Sequence, residues 1–271
     1  MLTSQFAFKA PETIEELLSE IDANPDAAIL SGGHTLIGLL KSEAIDPDII
    51  ISTEKIQGLK EIKQESDGSV VIGSSVTLSA LLDNSSVGAK FPSLKEVIRN
   101  IGDRQYCNQT SIGDEFSYKG NSIGVLAVLL AHAAEFCFCK GKDIVKVVDP
   151  TDKPNQSILT SIKLNPSNGS THVREIKDPI SRLPLCGIAI QIEGNKKAIQ
   201  PTNFIVYGQN IAPTRLITIE NLIKEADTPE NIQKEKIGKA ISEAVQNSPA
   251  NPDYVTNLVY TFIKRVISSV G

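Results

Sequence analysis

The sequence predicts an α+β protein in three parts. These are a small β-α-β-α-β unit over 1–55, a second α/β sheet subdomain over 56–165, and a C-terminal domain over 166–271 made of a three-stranded antiparallel sheet and helices. Three observations predict it. Short β-branched runs alternate with helix-periodic segments through the first part, which is the pattern of a parallel unit. A hairpin signal opens the second part, and its strands are separated by apolar helices. The third part holds two long β-rich runs followed by three amphipathic helices.

At 271 residues and 41% hydrophobic composition, the chain is long enough to bury one large core or two modest ones. Acidic and basic residues are interspersed to a net charge of -5, which leaves no basic footprint for nucleic acid. A small-molecule or protein partner is the better default. No apolar run approaches the ~18 residues of a spanning helix, and Met1–Gln5 lacks the basic and hydrophobic regions of a secretion signal. Cys107, Cys137, Cys139 and Cys186 suit a reducing, cytoplasmic setting, and their spacing is not that of a metal or iron–sulfur site.

Phe6 and Phe8 alternate as a strand before Pro11, and Thr13 is placed to cap a helix whose apolar face is Ile14, Leu17, Leu18 and Ile21. Ala28-Ile29-Leu30 and Ile49-Ile50-Ile51 are strands. In the second part, residues 59–63 and 69–73 flank Asp67-Gly68 as a hairpin. Thr77 can cap a helix through Leu78, Leu81 and Leu82, and another helix begins near Ser93. Residues 101–120 read as a long polar connection, either a ligand cover or a surface loop pinned by Tyr106 and Phe116. The apolar helix from Val125 to Ala134 belongs in the core, with His132 as a packed histidine rather than a ligand. Phe136–Cys139 and Ile158–Leu164 are strands. In the third part, Cys186–Ile192 and Phe204–Gly208 are antiparallel strands, and helices follow at 217–223, 232–245 and 252–267.

Between the strand at 28–30 and the next helix stands Ser31-Gly32-Gly33-His34-Thr35-Leu36. Two glycines at a strand end let the chain turn sharply and bring successive amides to one point, a geometry suited to a phosphate. The same residues are also read as an ordinary turn with a Thr helix cap. Nothing in the chain forms a general acid–base pair or a catalytic constellation.

Taken with Phe8–Pro11, Pro47, Ile72-Gly73 with Thr77, Ile101–Gln105, and Ala212-Pro213-Thr214-Arg215 followed by Glu220, this turn resembles the FAD-binding medium subunit of the molybdenum hydroxylases. The likeness is nearest to the carbon monoxide dehydrogenase medium subunits, whose fold is of the p-cresol methylhydroxylase/vanillyl-alcohol oxidase type. It covers nearly the whole chain. The resemblance implies an FAD cofactor whose diphosphate is held by Gly32, Gly33, His34, Thr35 and Leu36 on one side and by Asn108, Ser111, Ile112 and Gly113 on the other. Thr77 is a further candidate. It also implies two partners, a molybdopterin-containing large subunit and a small subunit with 2Fe-2S clusters, from which electrons pass through FAD to an external acceptor.

The second loop departs from the family pattern Arg-Asn-x-Gly-Thr-Ile-Gly-Gly-Asn. Here it reads Cys107-Asn108-Gln109-Thr110-Ser111-Ile112-Gly113-Asp114-Glu115. Cys107 replaces the arginine, Thr110 and Asp114 replace glycines, and two carboxylates stand where a diphosphate would lie. The aspartate usual before the core helix is missing from Asn121-Ser122-Ile123-Gly124, the 140–160 stretch is shortened, and Glu175 stands where a lysine is common. Two readings follow: an FAD-carrying, electron-transferring subunit with an altered pocket, or a degenerate paralogue with weak or no FAD that serves structure or assembly.

Overall fold

The computed structural model describes residues 5–114, 123–141, 143–155, 157–180, 183–195, 198–226 and 231–269. Two compact units emerge, one from Met1–Lys90, Gly102–Asn121 and Ala134–Asn165, the other from Phe91–Ile101, Ser122–Ala133 and Pro166–Gly271. Glu115, Phe116, Asn121 and Ser122 of the sequence-based reading lie outside the described residues.

The first unit opens with β1 (Ala7–Lys9), α1 (Ile14–Ala23), β2 (Ala28–Leu30), α2 (His34–Lys41) and β3 (Ile49–Ser52). These form the expected β-α-β-α-β arrangement, a parallel sheet of order β1-β3-β2. Alternation along β3 sends neighbouring isoleucines to opposite faces. Ile51 packs with Leu17 of α1, Ile56 and Leu59, while Ile50 packs with Leu36 and Leu40 of α2. Thr13 caps α1 by accepting from the Glu16 amide, as its position suggested.

A five-stranded sheet follows in the same unit: β4 (Ile62–Gln64), β5 (Val70–Gly73), β6 (Glu135–Lys140), β7 (Asp143–Val147) and β8 (Ile158–Leu164), in the order β4-β5-β8-β6-β7. The β4–β5 hairpin turns at Gly68, whose φ of 86° needs glycine. Helices α3 (Leu78–Asp83) and α4 (Ser85–Lys90) lie between β5 and the second unit's first helix, α5 (Pro92–Ile101). Residues 101–114 of the 101–120 connection are less irregular than their polarity suggested. Asp103 accepts from the Tyr106 amide and starts a helix, α6 (Arg104–Gln109). A helix this short and polar has no apolar stripe to betray it in sequence.

In the second unit, α5 and α7 (Ile123–Ala131) join β9 (Ser170–Lys177), β10 (Pro184–Asn195), β11 (Ala198–Gly208), β12 (Ile211–Arg215), α8 (Ile217–Glu225), α9 (Lys234–Val245) and α10 (Pro252–Ser269). The sheet has four strands rather than three, ordered β12-β11-β10-β9. Its two edge strands are the ones the sequence did not locate. β9 carries His172, Arg174, Glu175 and Lys177, and β12 carries Pro213, a residue tolerated at an edge or, like Pro201 of β11, beside a bulge. Neither shows the apolar run of a central strand.

Alternation again decides the two faces of this sheet. Cys186, Ile188, Ile190, Phe204 and Val206 pack against Ile219, Ile237, Ile241, Val259 and Ile263 of the C-terminal helices. From the other set of positions, Asn203 donates to the Ala131 carbonyl of α7 at 3.0 Å. Gly124 sits against Val97 and Tyr207 with no room for a Cβ. His132 is packed, as expected: it is buried, shares a 2.9 Å hydrogen bond with Ser93 Oγ, and lies edge-on to Phe91. Burial pushes its imidazole down to about 4.

Candidate functional site: a glycine turn closed by Asp114

The site lies within the first unit, where the 31–36 turn meets the 109–114 segment. Gly33 ends the turn in the left-handed conformation, φ 98°, and forms the N-cap of α2 without a side-chain hydrogen bond. Its amide and its neighbours' amides therefore stand free of the helix ladder. Gly32 is required by proximity: a Cβ there would meet the Gln109 carbonyl at 2.5 Å, the Ser111 amide nitrogen at 2.5 Å and Asp114 Oδ2 at 2.7 Å. Backbone atoms cannot give way, so the two segments approach this closely only because residue 32 has no side chain.

The amides have an occupant. Gly33 N–H donates to Asp114 Oδ2 at 2.8 Å, and the nearby amides of Ser111, Gly32 and His34 favour the ionised form of that carboxylate. Asp114 is fully buried. Burial raises its acid group to about 6, and the four amides pull the other way without winning. Its second oxygen, Oδ1, and the neighbouring Thr110 Oγ1 are buried without a partner among the described residues.

Hydroxyls seal the seam below. Ser111 Oγ donates to Ser31 Oγ at 2.8 Å, Ser31 Oγ donates to Ser75 Oγ at 3.1 Å, and Ser75 shares a 2.8 Å bond with Thr53 Oγ1. The segment itself is stitched to 74–78 by its backbone. Gly113 N donates to Ser74 O at 2.7 Å, Ile112 N donates to Val76 O at 2.9 Å, and Leu78 N donates to Thr110 O at 2.9 Å.

These bonds say where each sequence-predicted residue goes. Gly32, Gly33 and the His34 amide converge on one point, with Ser111 beside them. The His34 ring is exposed and edge-on to Tyr106, their centroids 4.3 Å apart. Thr35 is half-buried and Leu36 is in the core. Asn108 is exposed on α6, while Ile112 and Gly113 donate their amides to the 74–76 backbone. Thr77 accepts from the Ala80 amide as the cap of α3. Thr110 and Asp114 need no glycine conformation: Thr110 has φ -105°, and Asp114 is not among the residues with positive φ. Cys107 is a buried thiol pushed up mainly by burial. Among the described residues, no group of three or more His, Cys, Asp or Glu could hold a metal.

Comparison with known proteins decides the family. Residues 4–162 match the model of the FAD binding domain in molybdopterin dehydrogenase, which is more than half of the chain. The chain belongs to this family. The glyceraldehyde dehydrogenase medium chain of Sulfolobus acidocaldarius is 24% identical over 252 residues, 90% of this chain and 89% of that one. The carbon monoxide dehydrogenase medium chain of Hydrogenophaga pseudoflava is 29% identical over 131 residues, 47% of this chain and 45% of the relative. Two solved structures share the fold over 100% of this chain and 98% of theirs, each with a TM-score of 0.83. They are the Hydrogenophaga pseudoflava carbon monoxide dehydrogenase lacking the Mo-pyranopterin moiety, at 20% identity, and quinoline 2-oxidoreductase from Pseudomonas putida 86, at 16%. Within the family, the residue that sequence reasoning misjudged is Asp114. It was read as a charge near a bound diphosphate, whereas its carboxylate sits on the amides themselves. The available signal was an acidic residue in one loop and unpartnered amides in the other.

Proposed function

We propose that this chain is the medium subunit of a molybdenum-containing hydroxylase or dehydrogenase assembly, with the flavin-subunit fold kept for docking and with FAD held weakly or not at all. Its partners would be a molybdopterin-containing large subunit and a small subunit bearing 2Fe-2S clusters. The observation that carries the reading is the Asp114 carboxylate on the Gly33 amide. The residues present do not fit a bound diphosphate, because a phosphate oxygen accepting from Gly33 would need the place of Asp114 Oδ2. Two anions sharing a buried site repel strongly when water is excluded.

A second reading keeps the subunit as an electron carrier from the partner clusters through FAD to an external acceptor. Its support is the turn itself: Gly32 still permits the close approach, and Gly33 still holds φ 98°. FAD titration of the purified chain, followed by flavin fluorescence against a background without tryptophan, separates the two. Failure of FAD to saturate a folded chain that co-purifies with the partner subunits supports the first reading. Saturable one-to-one binding supports the second.

A further inference from the structure

We propose that Asp114 is a tethered occupant of the glycine-turn anion site, and that removing its carboxylate opens that site to ligands bearing a diphosphate. The inference rests on the reading of residues 31–36 as a phosphate cradle, and deepens it by naming what fills it. The Gly33 N–H donates to one carboxylate oxygen at 2.8 Å, and the amides of Gly32, His34 and Ser111 favour the same anion, which is how a protein holds one. Oδ2 lies 2.7 Å from where a Gly32 Cβ would be, so the space kept clear by glycine is the space the aspartate fills.

Among the described residues, several donors around it are already engaged. The Ser111 hydroxyl donates to Ser31, the Gly113 and Ile112 amides donate to the Ser74 and Val76 carbonyls, and the Thr77 oxygen accepts from the Ala80 amide as the α3 cap. The aspartate also needs no strained backbone to reach the amides. A carboxylate on the same chain competes at an effective concentration in the millimolar range or above, so a free phosphate must displace a partner that never diffuses away.

This differs from repulsion at the rim of a pocket, because a tethered ligand leaves a thermodynamic signature. Its removal lowers the stability of the empty protein, and an external ligand restores it by mass action. The experiment compares wild type, Asp114→Ala and Asp114→Ser by thermal midpoint and isothermal titration, each with pyrophosphate, ADP and FAD. The serine variant serves if the alanine variant does not fold.

Wild type should show no midpoint shift with any of the three. The variants should melt lower when empty, rise with pyrophosphate, and bind it about ten- to a hundredfold more tightly than wild type, the factor set by a charge-assisted hydrogen bond. A gain for pyrophosphate and ADP without one for FAD would uphold the tethered occupant and count against a flavin site. A folded variant that gains for none of the three overturns the proposal. So does wild type binding pyrophosphate as tightly as the variants. Co-purification with partner subunits tests the medium-subunit reading separately from either result.

Discussion

The Gly33 amide donates to Asp114 Oδ2 at 2.8 Å, across 81 positions of sequence. That bond seats a carboxylate on an amide of the turn rather than beside it. An acidic residue beside the turn would only weaken an anion site, whereas one seated on its amides takes the anion's place.

The pH dependence of folding should carry its signature. The Asp114 acid group rises from 3.8 to about 6, chiefly through burial. Between those values the folded chain holds a proton that the unfolded chain has released, so stability falls as pH rises. The contribution is fully present below about pH 4 and lost by about pH 6, amounting to roughly 3 kcal/mol for a shift of this size. Denaturant unfolding of wild type and Asp114→Asn across that window should show the wild type losing ground to the variant. A constant difference would mean that the buried acid does not titrate as described.

Gly32→Ala should destabilise the first unit by about 1–3 kcal/mol, the cost of overpacking against atoms that cannot move. Backbone atoms at 2.5 Å from its added methyl leave no other relief. Gly38, whose added Cβ meets nothing within 4 Å, is the control, and Gly38→Ala should be neutral or slightly stabilising. Equal unfolding midpoints for the two variants would argue against the close approach.

Arg215 and Glu220, part of the family pattern, are structural. Glu220 is 3% exposed and accepts from the Phe204 amide and Arg215 Nε, both at 2.9 Å, while Arg215 Nη2 also donates to the Thr202 carbonyl. Arg215→Ala leaves a buried carboxylate short of its charged, half-exposed partner and should cost about 1–3 kcal/mol. Arg215→Ala with Glu220→Gln should recover part of that loss. If the double variant is no more stable than the single one, the charge is not the cause.

Glu175 is a carboxylate held by a tyrosine, Tyr207. The buried Tyr207 hydroxyl donates to Glu175 Oε2 at 2.9 Å, within a space that Gly187 leaves for the ring. Burial raises the Glu175 acid group, and the tyrosine bond opposes the rise. Tyr207→Phe should cost about 1–3 kcal/mol and raise the glutamate further. A carboxyl titration by NMR would read the second effect, which simple loss of packing would leave unmoved.

Local pattern was enough for most of the fold. Three-residue strands, the Thr13 and Thr77 caps, the Asp67-Gly68 hairpin and the stripe of the last helix are each written in neighbouring residues, because caps, turns and amphipathic faces are short-range chemistry. The turn at Gly32-Gly33 was legible for the same reason. The sheet edges β9 and β12 were not, since an edge strand is defined by the neighbour it lacks and carries the charges and proline that disguise it.

By itself, then, the sequence determined most of the elements, the family and the glycine turn. Only the tertiary structure decided which group the turn holds. Residues 33 and 114 are joined by no periodicity or local motif, and a buried hydrogen bond between them exists only once the chain has brought both to the same few ångströms.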